Sequence, residues 1–399
     1  MHDVVEPVLQ RSFDRSLHED LCRARETSPT AIDADSAAVI VLGYHEVERL
    51  AHDGRLAGVG LSFFDYMGID DGELRRWYGS LMFTNEGDHH SRLRRLVARA
   101  FTPRSVDRHR ALAAELAHST LAELTEQGGG DLVDAFADLP ITVICRLLGV
   151  PDDQVAEFRR YADALSPVFG FMDANQIEAA SEAVVRLGDD VDRMIADRAH
   201  ERGDDVISAL LAAEDEGDRL SHEELVAMVG NLIVGGHDTT ASQIGCSLLS
   251  LLANPSVTGD LAKGAVTAGD VVSETIRYEP SIPGIPRTLL EPVEIGGTQR
   301  EAGSMIILST ASANREKAIW GDPDVLRPAR FTEPDAPRLL SFGSGAHYCL
   351  GTALARMTLE EVVIGFAACA DHLHSDVDLD TVDWRQVLGR SPASLNVNC

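Results

Sequence analysis

Two shortages in the chain exclude more than any motif does. Basic residues number 35 against 64 acidic ones, which leaves a formal charge of −29 at pH 7. A surface this negative is repelled by phosphate, so general binding to nucleic acid or to an anionic membrane is excluded. Cysteines are sparse: Cys22, Cys145, Cys246, Cys349, Cys369 and Cys399, no two at CxxC spacing. That is too few for a disulfide scaffold in 399 residues, and it predicts a reducing, cytoplasmic compartment. Aromatic residues make up only 5 %, so the core is expected to be Leu, Val, Ala and Ile. No apolar run reaches the ~18–20 residues of a membrane helix. The longest uncharged stretch, Thr239–Gly259, is interrupted by Ser, Thr, Gln243 and Asn254. The start, Met1-His2-Asp3-Val4-Val5-Glu6-Pro7, lacks the basic and apolar segments of a secretion signal. Repeats and long low-complexity tracts are missing, and Gly128-Gly129-Gly130 is the only loop of that flavour.

What is present is the composition of a globular protein, 44 % hydrophobic and 25 % charged. Helical periodicity dominates from about Ser105 to Leu252. Strand patterns are few: 37–42, 292–295 followed by Gly296-Gly297, and 304–308. With no Pro/Gly/Ser linker, residues 1–399 are expected to form a single domain, mainly α with a small β region. Ser221-His222-Glu223-Glu224 fits a capping box, which predicts a helix running to about Leu252 and stopping before Asn254-Pro255. Such a helix is roughly 40 Å long and apolar nearly all round, so it should cross the core. Its middle breaks the local rules with Gly235-Gly236-His237-Asp238-Thr239-Thr240. Mid-helix glycine and buried Asp both cost stability. Either the helix kinks there to pack closely, or a functional site explains the sequence.

A second unusual segment is Ser341-Phe342-Gly343-Ser344-Gly345-Ala346-His347-Tyr348-Cys349-Leu350-Gly351, followed by a helical pattern from Thr352. It is a glycine-rich loop that presents one cysteine just before a helix. A helix N-terminus favours thiolate over thiol. The residue could be a nucleophile, a soft metal ligand or an inert core cysteine. A phosphate loop fits less well, because no Gly-Lys-Ser/Thr follows.

The spacing Phe342-x-x-Gly345-x-His347-x-Cys349-x-Gly351 resembles the haem-binding loop of the cytochrome P-450 superfamily. Gly235-Gly236-x-Asp238-Thr239-Thr240 resembles its oxygen-activation segment. Glu274-Thr275-Ile276-Arg277 resembles its Glu-x-x-Arg helix, and Pro328-x-Arg330-Phe331 its meander, with Leu326 where Phe is common. The stretch from Asp88 to Arg104 resembles the C helix of soluble bacterial, ferredoxin-dependent members.

The resemblance implies a cytochrome P-450 fold, with the long central helix over haem b (iron protoporphyrin IX). Cys349 would be the axial iron ligand, with Gly345 and Gly351 letting backbone approach the macrocycle. Gly235 and Gly236 would sit against the cofactor. His90 and Arg94, which share a helix face at i,i+4, would meet the propionates with Arg287 and His347. Glu274, Arg277 and Arg330 would form a buried structural triad. Asp238 and Thr239 would deliver protons, the glycine pair opening the helix beside them. Phe171, Leu232 and Ile285 are expected in the pocket, with parts of 56–86 and 282–289. The implied reaction inserts one atom of O2 into a small apolar substrate. Electrons would come from a ferredoxin and its NAD(P)H-dependent reductase, docking at an outward face formed by Arg92, Arg95 and Arg99. A haem-thiolate sensor without turnover is disfavoured by the Asp238–Thr239 pair, and so is a peroxide-driven hydroxylase. His372 and His374 alternate like metal ligands, yet are expected on a solvated strand.

Overall fold

Thirty-one residues from His222 to Leu252 form one unbroken helix, about 46 Å long. It begins as the sequence predicts: Ser221 Oγ accepts from the Glu224 amide at 3.1 Å, and Glu224 Oε2 accepts from the Ser221 amide at 2.7 Å. Most of its side chains are buried, in accord with its all-round apolar character. In a computed structural model that describes residues 6–10, 14, 16–200, 203–212, 219–375, 381–386 and 388–399, this helix packs most extensively on four others. These are Leu139–Leu148, Val155–Leu165, Ala268–Tyr278 and Thr352–Cys369.

The β region is small and lies to one side. A six-stranded mixed sheet runs in the order Val8–Leu9, Thr30–Asp33, Val39–Val41, Met305–Leu308, Ile285–Leu289 and Leu56–Ala57. Val293–Ile295 pairs with Thr298–Arg300 across the Gly296-Gly297 turn. Near the C-terminus Trp384–Gln386 pairs antiparallel with Arg390–Pro392. No helix among the described residues is long and apolar enough to cross a membrane.

Two buried charge clusters tie these parts together. Glu274 and Arg277 are completely buried, and Arg330 is nearly so. Glu274 accepts from Arg277 at 2.7 and 2.9 Å, from Arg330 Nε at 3.0 Å and from the Arg327 amide at 2.7 Å. The guanidinium donors left over go to the carbonyls of Asn314, Trp320 and Asp322. The triad therefore bolts the Ala268–Tyr278 helix to the meander. In the second cluster Glu279 takes His18 Nε2 at 2.8 Å, the Arg390 guanidinium, and Arg315 at 4.0 Å. It joins the Ser16–Thr27 helix to the C-terminal hairpin, where Arg390 also lies 3.8 Å over the Trp384 ring.

Removing one partner of a fully buried, hydrogen-bonded ion cluster leaves an uncompensated charge, at about 3–5 kcal/mol. Glu274→Ala is therefore expected to lose about 3–5 kcal/mol of stability, read as a lower midpoint in urea. An unchanged midpoint would show that the triad does not hold the meander.

Candidate active site

The central helix and the cysteine loop face each other across a cavity of about 740 Å³. Loop geometry places the cysteine. Gly345 has φ +69°, and a Cβ there would come within 2.4 Å of the Ala51 carbonyl, so conformation and packing both require glycine. The Cys349 amide donates to Phe342 O at 2.9 Å, closing the loop. The side chain is exposed, toward the cavity. Burial pushes the thiol up, while the Gly351 amide, the Thr352 hydroxyl, Arg94 and the Thr352 amide act in the opposite sense. Cys349 precedes the N-terminus of the helix Thr352–Cys369, where partial positive charge would favour a thiolate once a metal replaces the proton.

On the opposite wall, Gly235 is exposed to the cavity, and a Cβ built on it would meet nothing within 4 Å. A flat group could press against the helix there. Gly236 differs: a Cβ would lie 3.3 Å from Ile144, so this glycine serves helix packing as well. The helix does not open at the pair, contrary to expectation. It stays α-helical, and Thr239 Oγ1 donates to Gly235 O at 2.6 Å. That back-bond satisfies the hydroxyl inside the helix.

Asp238 also departs from expectation. Its carboxylate does not line the cavity; Oδ2 accepts from the amides of Leu388 at 2.9 Å and Gly389 at 2.8 Å. The acid fastens the C-terminal hairpin to the central helix, and Gln386 and Leu388 of that hairpin line the cavity. No local pattern could have foretold a contact between residues 150 apart in the chain.

The cations gather at one end. His90 and Arg94 both line the cavity from the helix Gly87–Ala100, and Arg287 does so from the strand Ile285–Leu289. Among the described residues neither Arg94 nor Arg287 has a carboxylate within ion-pair distance; they donate to the carbonyls of Tyr348 and Pro286. Burial lowers the pKa of both. His90 is 2 % exposed, burial pulls it down to about 4, and its Nε2 has no partner. His347 lies against the His90 ring at 4.2 Å, but its Nε2 is already held by Glu86 at 2.9 Å. Glu86 also accepts from the Gly58 amide at 2.7 Å, an anchor the sequence did not reveal. The set fits an anionic, planar group: two uncompensated guanidiniums, an orphaned imidazole nitrogen, an open glycine face and a thiol opposite.

Leu232 and Ile285 line the cavity as expected. Phe171 is 63 % exposed and sits at the rim, 5.2 Å from Phe63 and 5.8 Å from Tyr66 between ring centroids. The proposed face of Arg92, Arg95 and Arg99 is not a single outward surface. Arg92 is half-buried and bonded at 2.9 and 3.0 Å to Glu224, in the first turn of the central helix. Arg95 is exposed, and the side chain of Arg99 lies outside the described residues. His374 pairs with Asn398 at the chain end, and no group of three or more candidate metal ligands of the His/Cys/Asp/Glu type occurs among the described residues.

The family model described as Cytochrome P-450 matches residues 60–264 and 268–365. The chain belongs to the cytochrome P-450 family. Cytochrome P-450 107B1 of Saccharopolyspora erythraea is 33 % identical over 385 residues, 94 % of this chain and 92 % of that protein. The 6-deoxyerythronolide B hydroxylase of the same organism is 30 % identical over 391 residues, 94 % of each. Among solved structures, CalO2 superposes with a TM-score of 0.88 at 27 % identity, covering 97 % of each chain. The cofactor is therefore haem b, and the chain is a cytochrome P-450 monooxygenase with the mainly helical fold of the family. When bound, the haem supplies the oxygen chemistry.

The bonds of Asp238 to the hairpin give a direct expectation. Asp238→Ala frees the Leu388 and Gly389 amides, so their hydrogen exchange should speed up by about tenfold or more, the equivalent of one lost charge-assisted bond. Unchanged protection would mean that other contacts hold the hairpin.

Proposed function

We propose that the enzyme inserts one oxygen atom from O2 into a small, mainly apolar molecule in the cytoplasm, taking electrons from a ferredoxin served by an NAD(P)H-dependent reductase. The observation that carries this reading is the cavity between Gly235 and Cys349, which is lined mostly by apolar side chains and includes Leu232, Ile285 and Phe171. The hydroxylase name of one relative is in keeping with it.

Within this reading Cys349 would ligate the haem iron, and Arg94, Arg287 and His90 would hold the propionates. His347 takes part while bound to Glu86, which fixes its ring. Gly235, Gly236 and Gly351 give the cofactor room. Thr239 lines the cavity, and its hydroxyl reaches a ligand by giving up its bond to Gly235 O. It then holds a proton at Oγ1 where oxygen is activated. Asp238 keeps Oδ1 for exchange with water while Oδ2 holds the hairpin, and it returns protons to Thr239. A ferredoxin, typically acidic, would be attracted to Arg95 and the exposed Arg104 while the rest of this acidic chain repels it.

The test is turnover with ferredoxin, reductase and ¹⁸O2 on a compound chosen from a library by its shift of the Soret band. One labelled oxygen per product is expected, and the rate should fall as salt screens the partners. A positioned proton donor contributes about 10²–10⁴-fold to its step. Thr239→Ala should therefore still consume NAD(P)H, with the ratio of product to hydrogen peroxide reduced by about tenfold or more. Unlabelled product, or unchanged coupling in the variant, would contradict the assignment.

A further inference from the structure

Among the polar groups on the cavity wall that the reading above does not use, Asn231 and Tyr78 stand on facing helices. Asn231 stands on the central helix four residues before Gly235, about 6 Å along the axis. It lines the cavity, and its carboxamide bonds to no other described residue. Two other polar side chains that line the cavity from this helix are occupied. Thr239 is bonded to Gly235, while Gln243 holds the Glu279 carbonyl and the Ser281 amide. Tyr78, on the helix Glu73–Ser80, is the second group. Its ring is buried, stacks on Phe64 at 4.2 Å and meets Phe83 edge-on at 5.9 Å. It also lines the cavity, and its hydroxyl likewise has no described partner.

The two helices that carry these groups are in contact. Trp77 packs on Gly230 so closely that a Cβ there would lie 2.9 Å from the indole. Tyr78 and Asn231 are the next residue on each helix, beside that contact. A hydroxyl and a carboxamide can donate and accept. Polar groups left unmatched against an apolar ligand cost binding, so such a site selects a ligand that satisfies them.

We propose that the Tyr78 hydroxyl and the Asn231 carboxamide anchor an oxygen function, hydroxyl or carbonyl, on the otherwise apolar substrate. The anchor fixes which carbon lies beneath Gly235, with the substrate oxygen about one helical turn away. This rests on the reading that the substrate is mainly apolar.

The test uses the haem-loaded enzyme and two series of N-alkylimidazoles, one ending in methyl and one in hydroxyl, with chains of three to nine carbons. The ring nitrogen binds iron, so each dissociation constant is read from the Soret shift without turnover. In the methyl series, affinity that rises with chain length supports the apolar pocket, and affinity that does not rise overturns that reading alone. At one chain length the hydroxyl series should gain relative to the methyl series. Asn231→Leu and Tyr78→Phe should each cut that gain by about three- to tenfold, the size of one hydrogen bond. Asn231→Ala replaces the leucine variant if the latter lacks the normal spectrum of the reduced CO complex. An identical hydroxyl-to-methyl ratio in wild type and both variants at every length overturns the anchor.

Discussion

A cavity that faces both a thiol and a row of cations cannot be held open by its own lining. Apolar walls would collapse, and unpaired guanidiniums would turn toward water. The surrounding fold prevents both. The central helix is capped at Ser221 and buried along its length, and it cannot sag toward the cysteine loop because Gly236 is seated on Ile144. The loop cannot rise toward the helix, because Gly345 is locked against Ala51 and Cys349 N–H is bonded to Phe342 O. The gap between Gly235 and the sulfur is what these constraints leave.

Charge burial is spent in two different ways. Glu274 and Glu279 lie inside complete clusters, and each cluster joins segments far apart in sequence. Arg94 and Arg287 are also buried enough to lower their pKa, yet no carboxylate completes them among the described residues. Satisfied charges mark structure here, and unsatisfied ones mark the place for an anionic ligand. His90 fits the second group, with one ring nitrogen orphaned.

Legibility in the sequence followed the range of the interactions. The central helix, its cap, the cysteine loop and the strands Val39–Val41, Val293–Ile295 and Met305–Leu308 rest on local patterns and were readable; the other strands carry no such pattern and were missed. The Glu274–Arg277 pair was readable too, since i,i+3 spacing puts both on one face. Contacts set by tertiary packing were not. Asp238 bonds to amides 150 residues away, Arg92 reaches Glu224, and His347 is taken by Glu86. The helix around Gly235 was expected to open because glycine weakens helices. Packing of Gly236 on Ile144 outweighed that propensity, and Thr239 closed its own hydrogen bond instead.

All of these arrangements serve one ligand position, the cavity-facing sulfur of Cys349. The spectrum of the reduced CO complex tests it most directly, because the red-shifted Soret band requires a thiolate ligand. Cys349→Ser, reconstituted with haem, should lose that band while its far-ultraviolet circular dichroism still shows the helical fold. A variant that kept the red-shifted band would place the axial ligand elsewhere and contradict the account.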